Sequence, residues 1–320
     1  MIQSSVKIPI DFGTDKSQIL RGIAIIFMII LHNGESGLFK ICVPIFTFLV
    51  GYGYSFAKKK NLNHAAKRSW HLLSHFWLIL LGLFLPVAIW TGGYKPTLSL
   101  ILPELFGLDS QLNWFSWYVY FYIFAMIIMI PASSIINRFK IWGIIFLIGL
   151  CFIGSIGIHS INEWPKNIWL QAAFDCCIVS PPMFTGYYLA ENKIASKIRL
   201  PHNFISILTL LIIAIGAFMF RGSFNYATQL DFITVPIFCL AIVGIFNIIK
   251  NRATNTFFIS LGKESMNMWF FHAIFFTAVT ACTFYPLLSW IEPKGILIIA
   301  MIAVSYFVGK IFTGIYKMLK

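Results

Sequence analysis

The chain has 320 residues, of which 59% are apolar, 17% aromatic and only 11% charged. A soluble domain carries about 25% charged residues, so too few polar side chains are present to wet a globule of this size, and a soluble enzyme and a disordered chain are both excluded. The formal net charge of +13 does not mark a nucleic-acid partner, because the cations fall in short clusters between apolar runs, as in a polytopic membrane protein.

Residues 1–16 are polar and mildly charged, without the pattern of a cleaved leader, so the first span is expected to direct insertion. A helix needs roughly 20 residues to cross about 30 Å of hydrocarbon. That length predicts an all-α fold of ten spans in one domain over 1–320, at 17–36, 39–57, 72–91, 112–131, 141–159, 168–190, 203–220, 230–249, 263–284 and 295–314. Pro86, Pro131, Pro181, Pro182 and Pro236 fall within or at the ends of spans and predict kinks. Cys42, Cys151, Cys176, Cys177, Cys239 and Cys282 lie inside apolar runs without zinc-type spacing and read as packing residues. No metal is expected. Nineteen Lys and Arg lie on one side of this arrangement and five on the other, which places both termini in the cytoplasm. The outer loops carry aromatics, among them Tyr94, Trp114, Trp164, Tyr226 and Trp290, suited to the membrane interface or to stacking on a sugar.

Ionisable groups inside spans are costly and mark candidate sites. His32 lies eleven residues beyond Arg21, His272 nine beyond Lys263, and Asp175 seven into its span. At 1.5 Å per residue these offsets are about 16, 14 and 10 Å, all near the midplane. Eleven steps of about 100° end about 20° past three full turns, so Arg21 and His32 share a helix face. The run Asn33, Gly34, Glu35, Ser36 is too polar for lipid and is expected to line an outward-facing cavity, with Glu35 close enough to orient the imidazole. A guanidinium at the inner edge suits phosphate, and an imidazole at the midplane suits taking a proton from a hydroxyl. Together they describe acyl transfer from cytoplasmic acyl-CoA to an extracytoplasmic hydroxyl.

At these residues the sequence resembles the acyltransferase 3 family of integral membrane acyltransferases. Leu20-Arg21-Gly22-Ile23-Ala24 through His32 is similar to the family's Arg/His signature, and Val43-Pro44-Ile45-Phe46-Thr47-Phe48-Leu49-Val50-Gly51-Tyr52 to its second span, with Val50 where Ser is usual. Arg68 matches the Arg-x-x-Arg element, with His71 where a second Arg is common. Leu112 to Tyr118, Phe184-Thr185-Gly186-Tyr187, and Leu261-Gly262-Lys263-Glu264-Ser265 through His272 resemble three further elements. The resemblance implies an acyl-CoA donor, usually acetyl-CoA, a surface saccharide or its lipid-linked precursor as acceptor, a cytoplasmic (inner) membrane location, and no permanently bound cofactor. It also implies Arg21 and His32 as essential residues; on the residues' own chemistry His32 would act as base or covalent carrier, with Glu35, Asp175 or His272 setting its charge. Arg21, Arg68 and His71 would hold the donor; Trp114, Trp117, Tyr52 and His272 would serve the acceptor. The alternative, from the midplane charges alone, is a secondary transporter or flippase; no internal repeat supports it.

Overall fold

In a chain this poor in charge, apolar runs fold as helices because a helix satisfies its own backbone hydrogen bonds in lipid. The computed structural model describes residues 7–34, 37–92, 95–108, 112–113, 115–162, 166–222, 230–276 and 287–319. Helices α1 (Thr14–His32), α2 (Cys42–Ser55), α3 (Leu62–Ile79) and α4 (Leu85–Trp90) are followed by a short α5 (Leu98–Leu105) that no predicted span covers. Then come α6 (Tyr118–Phe139), α7 (Ile141–His159), α8 (Ile168–Val179), α9 (Pro181–Glu191) and α10 (Ile194–Lys197). The rest are α11 (Phe204–Gly222), α12 (Asp231–Ile248), α13 (Arg252–His272) and α14 (Lys294–Met318). Seven helical stretches among the described residues are long and apolar enough to cross a membrane. The protein is a largely helical, polytopic membrane protein. α1 and α13, which carry Arg21, His32, Lys263 and His272, are not among those seven.

Several boundaries differ from the sequence expectation, each for a local reason. α3 begins ten residues before the predicted span because Asn61 caps it, its side-chain oxygen accepting from the His64 amide at 3.0 Å. α13 likewise begins at Arg252, capped by Asn251 on Thr254 at 3.0 Å. Hydropathy registers the lipid-embedded part of such a helix, whereas the cap sets its true start. The span expected at 112–131 lies further along, at Tyr118–Phe139, and runs through Pro131. Ser133 and Ser134 turn their hydroxyls onto the Ile130 carbonyl there, at 3.0 and 3.4 Å. Pro86 lacks the N–H that would close a normal turn on Gly82, and the residues before it, Leu80–Phe84, widen into a π-helical segment joining α3 to α4. The span expected at 168–190 is split between α8 and α9 at Ser180, next to Pro181 and Pro182. Two three-residue strands, β1 (Lys7–Pro9) and β2 (Arg199–Pro201), pair antiparallel and depart from a purely helical reading. The end of the ninth predicted span, together with Cys282, Tyr94, Trp164 and Tyr226, lies outside the described residues.

Small residues set the closest crossings. α1 meets α13 where Gly22 and Gly262 face each other's chains: a methyl at Gly22 would overlap the Phe258 carbonyl, and one at Gly262 the Gln18 carbonyl. α2 meets α9 in the same reciprocal way, Gly51 against Met183 and Gly186 against Phe48. Without a hydrophobic drive between helices in lipid, such close backbone approach supplies the packing. Gly22, Gly51, Gly186 and Gly262 all sit in the motifs singled out from the sequence, so these glycines serve helix packing. Gly262→Val should lower the thermal midpoint of the detergent-purified protein, with an overpacking cost of about 1–3 kcal/mol. Gly149→Val, at a position with nothing within 4 Å, should change the midpoint little. Equal midpoints for the two variants would contradict this account. A second fixed point is the buried pair Arg221 and Asp231, joined by two bonds of 2.8 and 3.1 Å at the facing ends of α11 and α12.

Candidate active site

The glycine crossing of α1 and α13 brings their far ends together. His32 Nδ1 lies 2.8 Å from His272 Nε2. His272 is fully buried and its other nitrogen, Nδ1, lies 2.5 Å from the Trp269 carbonyl oxygen and 3.2 Å from that of Met268. A carbonyl oxygen only accepts, so His272 Nδ1 carries a proton and donates it. In the neutral ring Nε2 is then an acceptor. His32 Nδ1–H donates to it, and with both rings neutral the free lone pair of His32 is on Nε2. The order of donors thus runs from His32 through His272 to a backbone carbonyl.

Phe115 covers the pair. Its ring stacks on His32 with centroids 3.8 Å apart and planes 10° from parallel, and on His272 at 4.8 Å and 4°. Phe276 closes an edge at 6.0 Å from the His32 ring. The segment carrying Phe115 is not helical and is pinned by buried Asn113, whose side-chain nitrogen donates to the Phe270 carbonyl at 3.1 Å while its oxygen accepts from the Phe115 amide at 3.1 Å. Trp269 Nε1 donates to the Phe115 carbonyl at 3.1 Å. Trp269 therefore fixes both Phe115 and His272 through its ring nitrogen and its carbonyl.

Eleven residues back along α1, Arg21 lines a cavity of about 240 Å³ with Arg68, Lys263, Ser265, Tyr122 and the ring of Trp269. A second cavity of about 240 Å³ shares Arg21, Val50, Arg68 and Tyr122 and extends to Tyr54 and His64. Among the described residues neither Arg21 nor Arg68 has an ion pair or a hydrogen bond; the two ion pairs present are Lys60 with Glu191 and Arg221 with Asp231. Two guanidiniums line one cavity in which, among the described residues, no carboxylate appears, and their planar forks are of a kind suited to phosphate. Phe46, Tyr118 and Trp269 pack together in the lining of this space, with ring centroids 5.0 Å from Phe46 to Trp269 and 4.5 Å from Tyr118 to Trp269. Trp269 thus belongs to both the cation-lined cavity and the support of the histidine pair.

A family model described as an acyltransferase domain, that of the acyltransferase 3 family, matches residues 16–310. The chain belongs to the acyltransferase 3 family. No curated protein and no solved structure matches it. The match spans both arms of the site, from Arg21 and His32 on α1 to Lys263 and His272 on α13, and makes the protein a membrane acyltransferase.

The residues singled out from the sequence fall into three groups in this acyltransferase. His32 and His272 are in contact, and Arg21, Arg68 and His71 line one cavity. Val50, where the family usually has Ser, lines both cavities with an apolar side chain. Asp175 is held elsewhere: both its oxygens are engaged, by the Tyr120 hydroxyl at 2.6 Å and the Gln171 amide at 3.1 Å. Tyr52 stacks on Phe12 at 4.2 Å and belongs to the packing around the N-terminal segment. Trp117 packs edge-on against Tyr118 at 5.9 Å. Glu35 and Trp114 lie outside the described residues. Sequence reading placed Asn113 and Phe115 in a family element without giving them a role at the site, and gave none to Trp269. Trp269 was accessible to it, since it sits one turn before His272 on the same helix.

Proposed function

We propose that this acyltransferase moves an acetyl group from acetyl-CoA to a hydroxyl of a surface saccharide or its lipid-linked precursor, with the Lys- and Arg-rich end of ten crossings in the cytoplasm of a cell whose inner membrane holds it. The observation that carries the reading is a single helix, α1, presenting in a cavity a guanidinium without an ion pair among the described residues and, eleven residues on, a histidine whose Nε2 makes no hydrogen bond among them. Arg21 and Arg68 bind the donor phosphates, with His71 and Lys263 on the same wall. The pantetheine arm runs past Trp269 toward His32, a rise of about 16 Å along the helix.

The chemistry at His32 follows from its hydrogen bonds. Nε2 takes the proton of the acceptor hydroxyl as its oxygen attacks the thioester carbonyl. The carbon–sulfur bond then breaks, and the departing thiolate takes that proton from Nε2, restoring the neutral ring. While His32 is charged, its Nδ1–H bond to His272 shortens in effect, because a donor bearing positive charge makes a stronger bond. The Trp269 and Met268 carbonyls support the opposite edge of His272. Phe115 excludes water from one face of both rings, and the sugar approaches from the side of Phe276 and the segment after His32.

The decisive experiment is mass spectrometry of surface saccharides from host cells with and without the gene. A base-labile acetyl ester present only with the gene is expected. Identical saccharides in both cells, with the protein inserted and stable, would overturn the assignment of acceptor.

A further inference from the structure

A larger cavity, of about 870 Å³, lies between α3 and the end of α14, apart from the histidine pair. Its lining is graded along α3. Lys67, His71 and Ser74 lie toward the N-terminal end of that helix and Trp77, Leu78, Leu81 and Gly82 toward the π-helical segment, with Tyr316 and Leu319 across from them. From Lys67 to Gly82 the helical rise is about 22 Å, comparable with the hydrocarbon depth of one leaflet and its headgroup region. Among the described residues no acidic side chain lines the space and Lys67 has no ion pair. Its polar end is therefore cationic and its far end apolar.

The polar end is built, not a chance gathering of surface groups. The Tyr316 hydroxyl lies 3.1 Å from Ser74 Oγ and 3.4 Å from His71 Nδ1, and its ring packs at a tilt of 33° on buried His75 with centroids 3.8 Å apart. His75 Nδ1 is 3.1 Å from the Asn267 side-chain oxygen, and Asn267 Nδ2 donates to Thr313 at 2.7 Å. Thr313 in turn donates to Glu264 at 2.6 Å. This network spans α3, α13 and α14 and holds Tyr316 in place. At the apolar end, Gly82 leaves open space: no atom of the described residues lies within 4 Å of where its Cβ would be. Trp70 and Trp77 meet edge to face at 5.5 Å along one rim, and amphipathic indoles of this kind favour the membrane interface.

We propose that this groove binds an anionic glycerophospholipid, its phosphate between Lys67, His71 and Tyr316 and one acyl chain along Trp77, Leu81 and Gly82. A phosphate with an attached apolar chain matches both ends of the groove. A soluble phosphate satisfies one end, and a zwitterionic lipid brings a choline cation against Lys67. His71 lines this groove and the Arg21 cavity alike, so the lipid headgroup forms part of the far side of the donor cavity wall. The binding itself does not depend on what the donor is.

Native mass spectrometry of the delipidated protein tests it, with phosphatidylglycerol, phosphatidylcholine, a polyprenyl phosphate or inorganic phosphate added separately. Wild type should retain one phosphatidylglycerol at least tenfold more than phosphatidylcholine. Lys67→Glu should lose that preference through its charge, and Gly82→Trp should lose retention through filled space. Thermal stabilisation by acetyl-CoA, measured on each variant, reports the fold and the donor site separately. Lys67 lies outside the packed core, so its variant carries the test should Gly82→Trp fold poorly. Equal retention of the two phospholipids, unchanged retention in Lys67→Glu, or capture of polyprenyl phosphate in preference to phosphatidylglycerol would each overturn the proposal. Full competition by inorganic phosphate would overturn it as well.

Discussion

His32→Ala should reduce acetyl transfer by about 10²–10⁴-fold, the range that a positioned general base supplies, while the protein still inserts and folds. The expectation rests on the tautomer order of the pair. His272 Nδ1 can only donate, toward the Trp269 and Met268 carbonyls, so its Nε2 accepts from His32 and the reactive lone pair falls on His32 Nε2. His272→Phe keeps an apolar ring under Phe115 but removes the acceptor, leaving His32 Nδ1–H without its bond in a buried place. That loss should cost about 1–3 kcal/mol, a reduction of about 5–150-fold in kcat with little change in the KM for the donor. His32→Ala combined with His272→Phe should be no slower than His32→Ala alone, because His272 acts through His32. A double variant slower by the product of the two single effects would show that His272 contributes independently. Transfer at the wild-type rate by well-inserted His32→Ala would remove His32 from the mechanism.

Arg21→Ala should raise the KM for acetyl-CoA by about 10–150-fold, from the 1.5–3 kcal/mol of a hydrogen bond to a charged group, with a smaller effect on kcat. Arg21 is half-buried on the wall common to both cavities and has no internal counter-ion among the described residues. Its removal therefore breaks no internal ion pair and should leave the thermal midpoint of the ligand-free protein nearly unchanged. Binding of acetyl-CoA, read as a rise in that midpoint, should diminish in parallel with the KM. Arg21→Lys should recover part of the affinity, since it restores the charge without the planar fork that meets two phosphate oxygens at once. Undiminished stabilisation of Arg21→Ala by acetyl-CoA would place the donor elsewhere.

The Arg21–His32 alignment was legible because both residues stand on one helix, where 100° steps fix their relative direction. The partner of His32 was not. Depth along a helix ranks His272 and Asp175 alike, while contact depends on which helices cross and at what angle. Reciprocal glycines bring α1 against α13, so His272 reaches His32; Asp175, on α8, is engaged instead by Tyr120 of α6 and Gln171 of its own helix. Trp269 illustrates the same division. Its place one turn before His272 could be read from spacing, but its double role in holding Phe115 and polarising His272 appears only once Asn113 and Phe115 are placed against α13. The starts of α3 and α13 were missed because hydropathy measures lipid exposure, and both caps lie in polar sequence before the apolar run.

Composition and periodicity by themselves determined a helical membrane protein and the face that carries Arg21 and His32, since both properties are local to the chain. The motif residues carried the resemblance to acyltransferases that the family match bears out over residues 16–310. The tertiary structure alone decided that His32 meets His272, 240 residues away, which His32 nitrogen donates in that bond, and that Arg21 and Arg68 face one cavity with no carboxylate among the described lining residues. Those are properties of helix crossings, and in lipid a crossing is set by close packing and hydrogen bonds between distant residues, which local composition does not encode.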